Sequence, residues 1–179
     1  MSSIDCLIFK NMYCTKFSDF LVKQKKAFRV EKNLLFSMFK ANIYAYRRYN
    51  LLGRDYLFIH EGNSELFSRD KCFAMHEAAR KYVNDQYKIP KIFRFVVPNI
   101  ASIFLSDNGF SDAAIELALQ QTRPWQGGEV HDMFFIDTST NECFGPDFHK
   151  VRLYANSFTV KKVDPTNRSI ELVADFLKQ

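Results

Sequence analysis

The longest apolar stretch of the chain, Ile92 to Leu105, sets the first limit on its fold. Arg94 and the Pro98–Asn99 pair interrupt it, so it falls short of the ~20 residues that a membrane-crossing helix needs. Phe and β-branched residues dominate both halves, and such residues suit a half-buried pleated surface. The stretch therefore predicts two strands, Ile92–Val97 and Ile100–Leu105, around Pro98–Asn99. Turn and cap signals bracket them. Tyr56–Ile59 is a short apolar strand ending at His60–Glu61–Gly62. Ser68 is placed to cap a helix running to about Tyr87, with Asp70 in its first turn. Pro90 ends that segment, Asp107–Asn108–Gly109 is a turn, and Ser111 opens a helix through about Gln121. Val130–Asp137 and Glu142–Gly145 read as a hairpin across Thr138–Asn141.

This order predicts an α+β domain with a mainly antiparallel sheet. A ferredoxin-like βαββαβ core with added C-terminal hairpin strands is one compatible arrangement. The tail reads as a second hairpin, Phe158–Val163 and Ser169–Val173 around Asp164–Asn167. A helix from Arg168 is the competing reading, because Ile170, Val173 and Leu177 are helix-spaced. Phe accounts for 19 of 179 residues, enough for a large aromatic core. A chain of this length buries roughly two thirds of its unfolded surface and folds without a disulfide or metal staple. A single domain over 1–179 is expected.

The front of the chain differs in charge and pattern. Residues 1–55 hold eleven Lys/Arg and four Asp/Glu, a net of +7, whereas the remainder carries −2. Phe17, Phe20, Leu21 and Phe28 can share a stripe. Leu34, Leu35, Met38, Ala41, Ala45 and Tyr49 recur at three- and four-residue steps. Residues 1–53 are thus expected to be a basic helical segment packed on the α+β core of 54–179, with Gly53 as the stop. On the second helix, Lys40, Tyr44, Arg47 and Arg48 would form one patch, to which Lys23 and Lys26 add charge. Lysine and arginine neutralise phosphates, and a tyrosine ring stacks on a base.

Cys6, Cys14, Cys72 and Cys143 show no C-x-x-C spacing, so a zinc ribbon or a secreted disulfide framework is not expected. No basic n-region or apolar h-region opens the chain, and cytoplasm is the expected location. The phosphate-cradling loops G-x-x-x-x-G-K-[ST] and G-x-G-x-x-G are absent, as is a G-x-S-x-G elbow.

Two histidine regions can carry chemistry. Glu129 and His131 would share one strand face after Gly127–Gly128, with Asp137 far along the same face. His60 and Glu61 stand at a strand exit, where a rigid scaffold positions loop residues. Were the two to meet, His60, Glu61, Glu129 and His131 would suit acid–base work, and His60, Glu129 and His131 would suit a divalent metal. His76–Glu77 repeats the dipeptide without the H-E-x-x-H spacing, and His76 reads as a core histidine sharing a helix face with Phe73, Arg80 and Val83. Arg123 and Trp125 are the residue types that anchor protein interfaces. The leading expectation is a non-enzymatic module that meets an anionic partner, nucleic acid or an acidic protein, through the basic segment, without a cofactor. The alternatives are a metal-dependent hydrolase of a phosphodiester or related anion, and a structural subunit of a homo-oligomer or complex.

Overall fold

The computed structural model describes residues 12–48, 54–87, 98–121, 125–126, 129–146 and 165–178. Its elements run α1 (Met12–Val22), β1 (Arg29–Phe36), β2 (Phe39–Arg48), β3 (Arg54–Gly62), α2 (Arg69–Asp85) and β4 (Asn99–Ser106). Then come α3 (Asp112–Leu119), β5 (Trp125–Gln126), β6 (Glu129–Asp137), β7 (Glu142–Phe144) and α4 (Pro165–Leu177). One mixed sheet holds all the described strands in the order β1–β2–β3–β4–β6–β5, with β7 also on β6. The fold is α+β.

β1, β2 and β3 form an antiparallel meander. β3, β4 and β6 are parallel neighbours, and their crossovers run through α2 and α3. Two right-handed crossovers moving in the same direction put both helices on one face. α2 packs on β4, and α3 on α2 and β6. α1 and α4 cover the other face. Strands joined through a helix are adjacent here, so the described strands form a wound arrangement and not the split ferredoxin-like one. The expected strand Ile92–Val97 lies outside the described residues.

Each face has its own core. Under α1 and α4, Phe17, Phe20 and Leu21 meet Ile43, Leu57, Ile103 and Phe134, and the Phe17 and Phe176 rings lie 4.0 Å apart. Under α2, Tyr44, Tyr56, Phe58 and Ile100 pack on Ala79 and Val83. Phe104, Phe135 and Met75 extend that layer towards α3. Ser111 caps α3, its Oγ accepting from the Ala114 N–H at 3.4 Å.

The helical expectation for residues 31–49 is corrected. Arg29–Phe36 and Phe39–Arg48 are strands closed by the two-residue turn Ser37–Met38, with Ser37 at φ 53°. Leu35 and Met38 belong to the stripe a helix would bury, yet they are 73% and 86% exposed. Pairing with β3 buries Ile43, Tyr44 and Ala45 instead, and tertiary burial overrides a weak local period. Of the two helices expected in the basic front segment, only the first forms, and it ends at Val22. Phe28 still reaches the same core from the lead into β1. The tail is corrected as well: Ser169–Val173 lies within α4, because Leu172, Val173 and Phe176 can then face α1 together. The partner strand expected at Phe158–Val163 lies outside the described residues.

Candidate functional site

Two polar regions stand at the end of the sheet where the parallel strands begin. The first is a corner formed by the start of β1, the end of β2 and the start of β3. Side chains alternate along a strand, so Arg47 and Arg48 point to opposite faces. Arg47 is internal: its Nε donates to the Asp55 carboxylate at 2.9 Å, its Nη1 to the Lys26 carbonyl at 3.4 Å, and its guanidinium lies 4.3 Å from the Phe28 ring centre. Arg48 sits directly opposite Arg54, and Arg29 directly opposite Tyr46. Arg29, Arg48 and Arg54 are exposed. No ion pair joins these three to a carboxylate among the described residues. A hydrogen bond with Tyr56 raises the pKa of Arg54, whose guanidinium lies 5.7 Å from the Tyr87 ring centre. Tyr46 stacks on Tyr44 at 5.5 Å and on Tyr56 at 6.5 Å. Lys23, Lys25 and Lys26 are exposed on the turn that leads into β1.

The expected patch Lys40–Tyr44–Arg47–Arg48 is therefore not assembled. Its spacing assumed a helix. On the strand, Lys40 lies eight residues from Arg48, about 26 Å along β2. Tyr44 is buried, and Arg47 is engaged with Asp55. Arg48, Lys23 and Lys26 remain at the corner, joined by Arg29 and Arg54.

The second region lies beneath α2. His76 Nδ1 and Ser102 Oγ are 2.8 Å apart, and His76 Nε2 and His131 Nδ1 are 3.0 Å apart, so three side chains from α2, β4 and β6 form one hydrogen-bonded chain. Ser102 and His76 are fully buried, and His131 is half-buried. Burial, then the neighbouring His131, Arg80 and His60, push the pKa of His76 well below its ordinary value, so this imidazole is neutral. Beside it, Arg80 Nε donates to Glu129 at 2.6 Å, and its other nitrogens contact Glu129 and Glu77. Asn84 donates to the second Glu129 oxygen. Glu129 is completely buried, whereas the Glu77 side chain is 43% exposed. The helical spacing of His76, Glu77 and Arg80 turns the histidine into the sheet and the charged pair towards Glu129.

His60 belongs to neither region. It pairs in register with Phe104 and, across β4, with Phe135, four residues along β6 from His131 and two strands away. That is about 13 Å along the strand. Its Nδ1 bonds to the Lys40 carbonyl at 3.1 Å, its ring stacks on Phe104, and its Nε2 is buried with no hydrogen bond among the described residues. Desolvation lowers its pKa to about 4. Glu61 faces the other side, where it hydrogen-bonds the Cys14 thiol. The four-residue acid–base set is thus split in three, and only Glu129 and His131 stay together. No cluster of three or more His, Cys, Asp or Glu suited to a metal occurs among the described residues. Arg123 lies outside the described residues, and Trp125 is placed by its backbone alone, opposite Val130. Asp137 bonds Ser139 by Oδ1 and closes the β6–β7 turn.

No protein-family model, curated protein or solved structure matches the chain. No helix among the described residues is long and apolar enough to cross a membrane.

Sequence reasoning misses Arg29, Arg54, Arg80, Asn84 and Ser102. For two of them a signal is present. Arg80 follows His76 and Glu77 at helical spacing. Ser102 is the one hydroxyl inside the apolar run Ile100–Leu105, and a polar group in a core strand must find a partner there.

Proposed function

We propose that the protein binds single-stranded nucleic acid through the corner made by Arg29, Tyr46, Arg48 and Arg54, with Lys23, Lys25 and Lys26 adding charge from the turn beside it. The observation that carries this reading is the register of β2 and β3, which sets two exposed arginines directly opposite each other. Like charges in that position destabilise a sheet. A polyanion laid across them relieves the repulsion and gains charge-assisted hydrogen bonds to each guanidinium. The neighbouring Tyr46 ring, backed by two further tyrosines, offers a stacking surface that unpaired bases can use and a closed duplex cannot. A cytoplasmic location accompanies this reading, and Cys14, Cys72 and Cys143 are free thiols.

The test is fluorescence polarisation with labelled single strands of about 20 nucleotides. Arg48→Glu with Arg54→Glu should weaken binding at least tenfold. The slope of log K against log salt should fall by about 0.7 for each phosphate that the variant no longer neutralises. Both residues are exposed, so the variant should keep its melting temperature. Unchanged affinity in the charge-reversed protein defeats the proposal. So does binding of an acidic polypeptide under conditions where neither RNA nor DNA strands bind.

A further inference from the structure

We infer that a cavity between α1 and the β1–β2 hairpin is a second binding site, for a small organic monocarboxylate, with Lys32 and Asn42 holding the carboxylate group. Lys32 lies directly opposite Ile43, which packs under α1, whereas Tyr46 packs under α2. The cavity is thus on the other face of the sheet from the Tyr46 surface, and the inference does not depend on the reading of the basic corner.

The cavity exists because the hairpin is interrupted part-way along. The register pairs Lys32 with Ile43 and Leu34 with Ala41, and skips Asn33 and Asn42 between them. Alternate residues of a regular strand share a face. Ala41 and Ile43 do not: Ala41 packs under α2 and Ile43 under α1. Asn33 stands at φ 59°, in the left-handed region that asparagine enters more readily than most residues. The pairing of β2 with β3 stops at the same level, with Ile43 opposite Ile59. Asn42 bridges that gap with its side chain, Oδ1 accepting from the Glu61 N–H at 2.9 Å. Both neighbours of β2 therefore part from it at Asn42. A cavity of about 350 Å³ remains there, lined by Cys14 and Thr15 of α1, Lys32 and Asn33 of β1, and Asn42 and Ile43 of β2. That volume is at the small end of the roughly 300–1,000 Å³ of ligand pockets, which suits a small molecule and not a polymer.

The polar groups free to act in this space are donors. Only Oδ1 of Asn42 can accept from a backbone N–H, so the orientation of the amide is fixed and Nδ2 is the end left over. It has no hydrogen-bond partner among the described residues. Lys32 is exposed, and no ion pair joins it to a carboxylate among the described residues. Its charge nevertheless reaches α1: burial and then Glu61 push the pKa of the Cys14 thiol up, and Lys32 pulls it down. An ammonium and an amide N–H from adjacent strands match the two oxygens of a carboxylate, with a charge-assisted bond on the Lys32 side. Asn33, exposed at the rim, offers a further amide.

Charge sets the class of anion. One lysine lines the space, and the negative charge of Glu61 acts on the same thiol with opposite sign. The site therefore matches a single negative charge, and the second charge of a phosphate dianion would go unmatched. Ile43 and the protonated, buried Cys14 give the body of the acid an apolar floor.

The test follows the amide resonances of Cys14, Lys32, Asn33, Asn42 and Ile43 in isotope-labelled protein during titration. The probes are butyrate, lactate and benzoate, each beside its uncharged amide, and inorganic phosphate. At least one acid should shift these resonances together and to saturation, and its amide should not. Lys32→Gln should weaken that acid about tenfold or more, as loss of one charge-assisted hydrogen bond implies. Lys32→Arg, which keeps the charge, should retain most of the affinity. Asn42→Asp keeps an acceptor for the Glu61 N–H, and with it the interruption of the hairpin, but replaces the Nδ2 donors by a negative charge. It should abolish binding and leave resonances far from the cavity unchanged. The inference is wrong if no acid saturates the shifts by about 50 mM, enough to reveal a Kd of several millimolar. It is equally wrong if acid and amide act alike, if Lys32→Gln or Asn42→Asp binds as the wild type does, or if phosphate binds more tightly than every acid.

Discussion

The basic corner and the cluster beneath α2 both place arginine at the same end of the sheet, yet they handle charge in opposite ways. Arg29, Arg48 and Arg54 face water, and none makes an ion pair with a described carboxylate. Arg80 is almost enclosed, and Glu129 and Glu77 hold it on two sides. An exposed, unopposed cation costs the fold little and keeps its potential for a partner. A buried cation must be matched at once, because desolvation of a lone charge exceeds anything packing can return. Arg47 is the internal control. It sits beside Arg48 in sequence, points to the α1 face, and behaves like Arg80.

The largest effect should therefore come from breaking the buried pairs. Glu129→Ala takes the enclosed carboxylate away from Arg80, and Asp55→Ala takes the carboxylate away from Arg47. Each should lower unfolding free energy by roughly 3–5 kcal/mol, measured from the urea midpoint at unchanged slope. Arg48→Ala should stay within about 0.5 kcal/mol of wild type. If Asp55→Ala and Arg48→Ala cost the same, Arg47 is not an enclosed residue and the contrast between the two arginines fails.

How far these regions can be read from the chain depends on what signals them. The strands β3, β4 and β6 and the helices α2 and α3 are legible because apolar runs and the residues that bound them agree there, although Ser68 makes no side-chain cap bond at the start of α2. Ser111 caps α3, and the Thr138–Asn141 turn joins β6 to β7 as its residues predict. The hairpin β1–β2 is not legible. Leu34, Leu35, Met38, Ala41 and Ala45 fit a helical period, and only the long-range pairing with β3 decides for strands. That error carries into the site: a helix puts Lys40 beside Arg48 and overlooks Arg54, which pairing alone brings opposite Arg48. Glu129 and His131 are legible as a strand-face pair. Their link to His76 depends on where α2 crosses β6, and no spacing within one segment encodes that crossing. His76 reads as a core histidine, and its burial agrees, but its Nε2 faces His131 and not an apolar wall.

A smaller effect separates His60 from the cluster that the sequence expects it to join. Its folded pKa, about 4, lies below the ordinary value of 6.5 because the buried ring is neutral. The unfolded chain therefore binds a proton that the native protein refuses. The stability due to the neutral ring is full above pH 6.5, declines as pH falls, and is gone below about 4. The loss over that window should approach about 3 kcal/mol. His76 contributes in the same direction. His60→Phe, which keeps an aromatic ring against Phe104, should remove the part due to His60 and leave a shallower slope in urea titrations between pH 4 and 6.5. It should shift the His131 imidazole resonances only slightly, since His60 lies two strands and four residues from His131 and reaches it only through its electrostatic effect on His76. A shift as large as that caused by changing His76 itself would mean that the three histidines act as one cluster.

The smallest effect uses one guanidinium to compare two environments. Arg80 meets Glu129, which is fully enclosed, and Glu77, whose side chain is 43% exposed. Solvent screens the second pair, and exposed helix pairs of this kind contribute about 0.3–0.5 kcal/mol. Glu77→Gln should thus cost no more than about 0.5 kcal/mol, roughly a tenth of the change expected for Glu129→Ala. It should shrink further in about 0.5 M salt, where Glu129→Ala should not. The variant also bears on Arg80 itself. With Glu77 neutral, Glu129 still holds two of its nitrogens, so the guanidinium should stay in place and gain a free N–H on its outer side. A large loss on Glu77→Gln would place that carboxylate among the enclosed charges and remove the contrast between the two partners of Arg80.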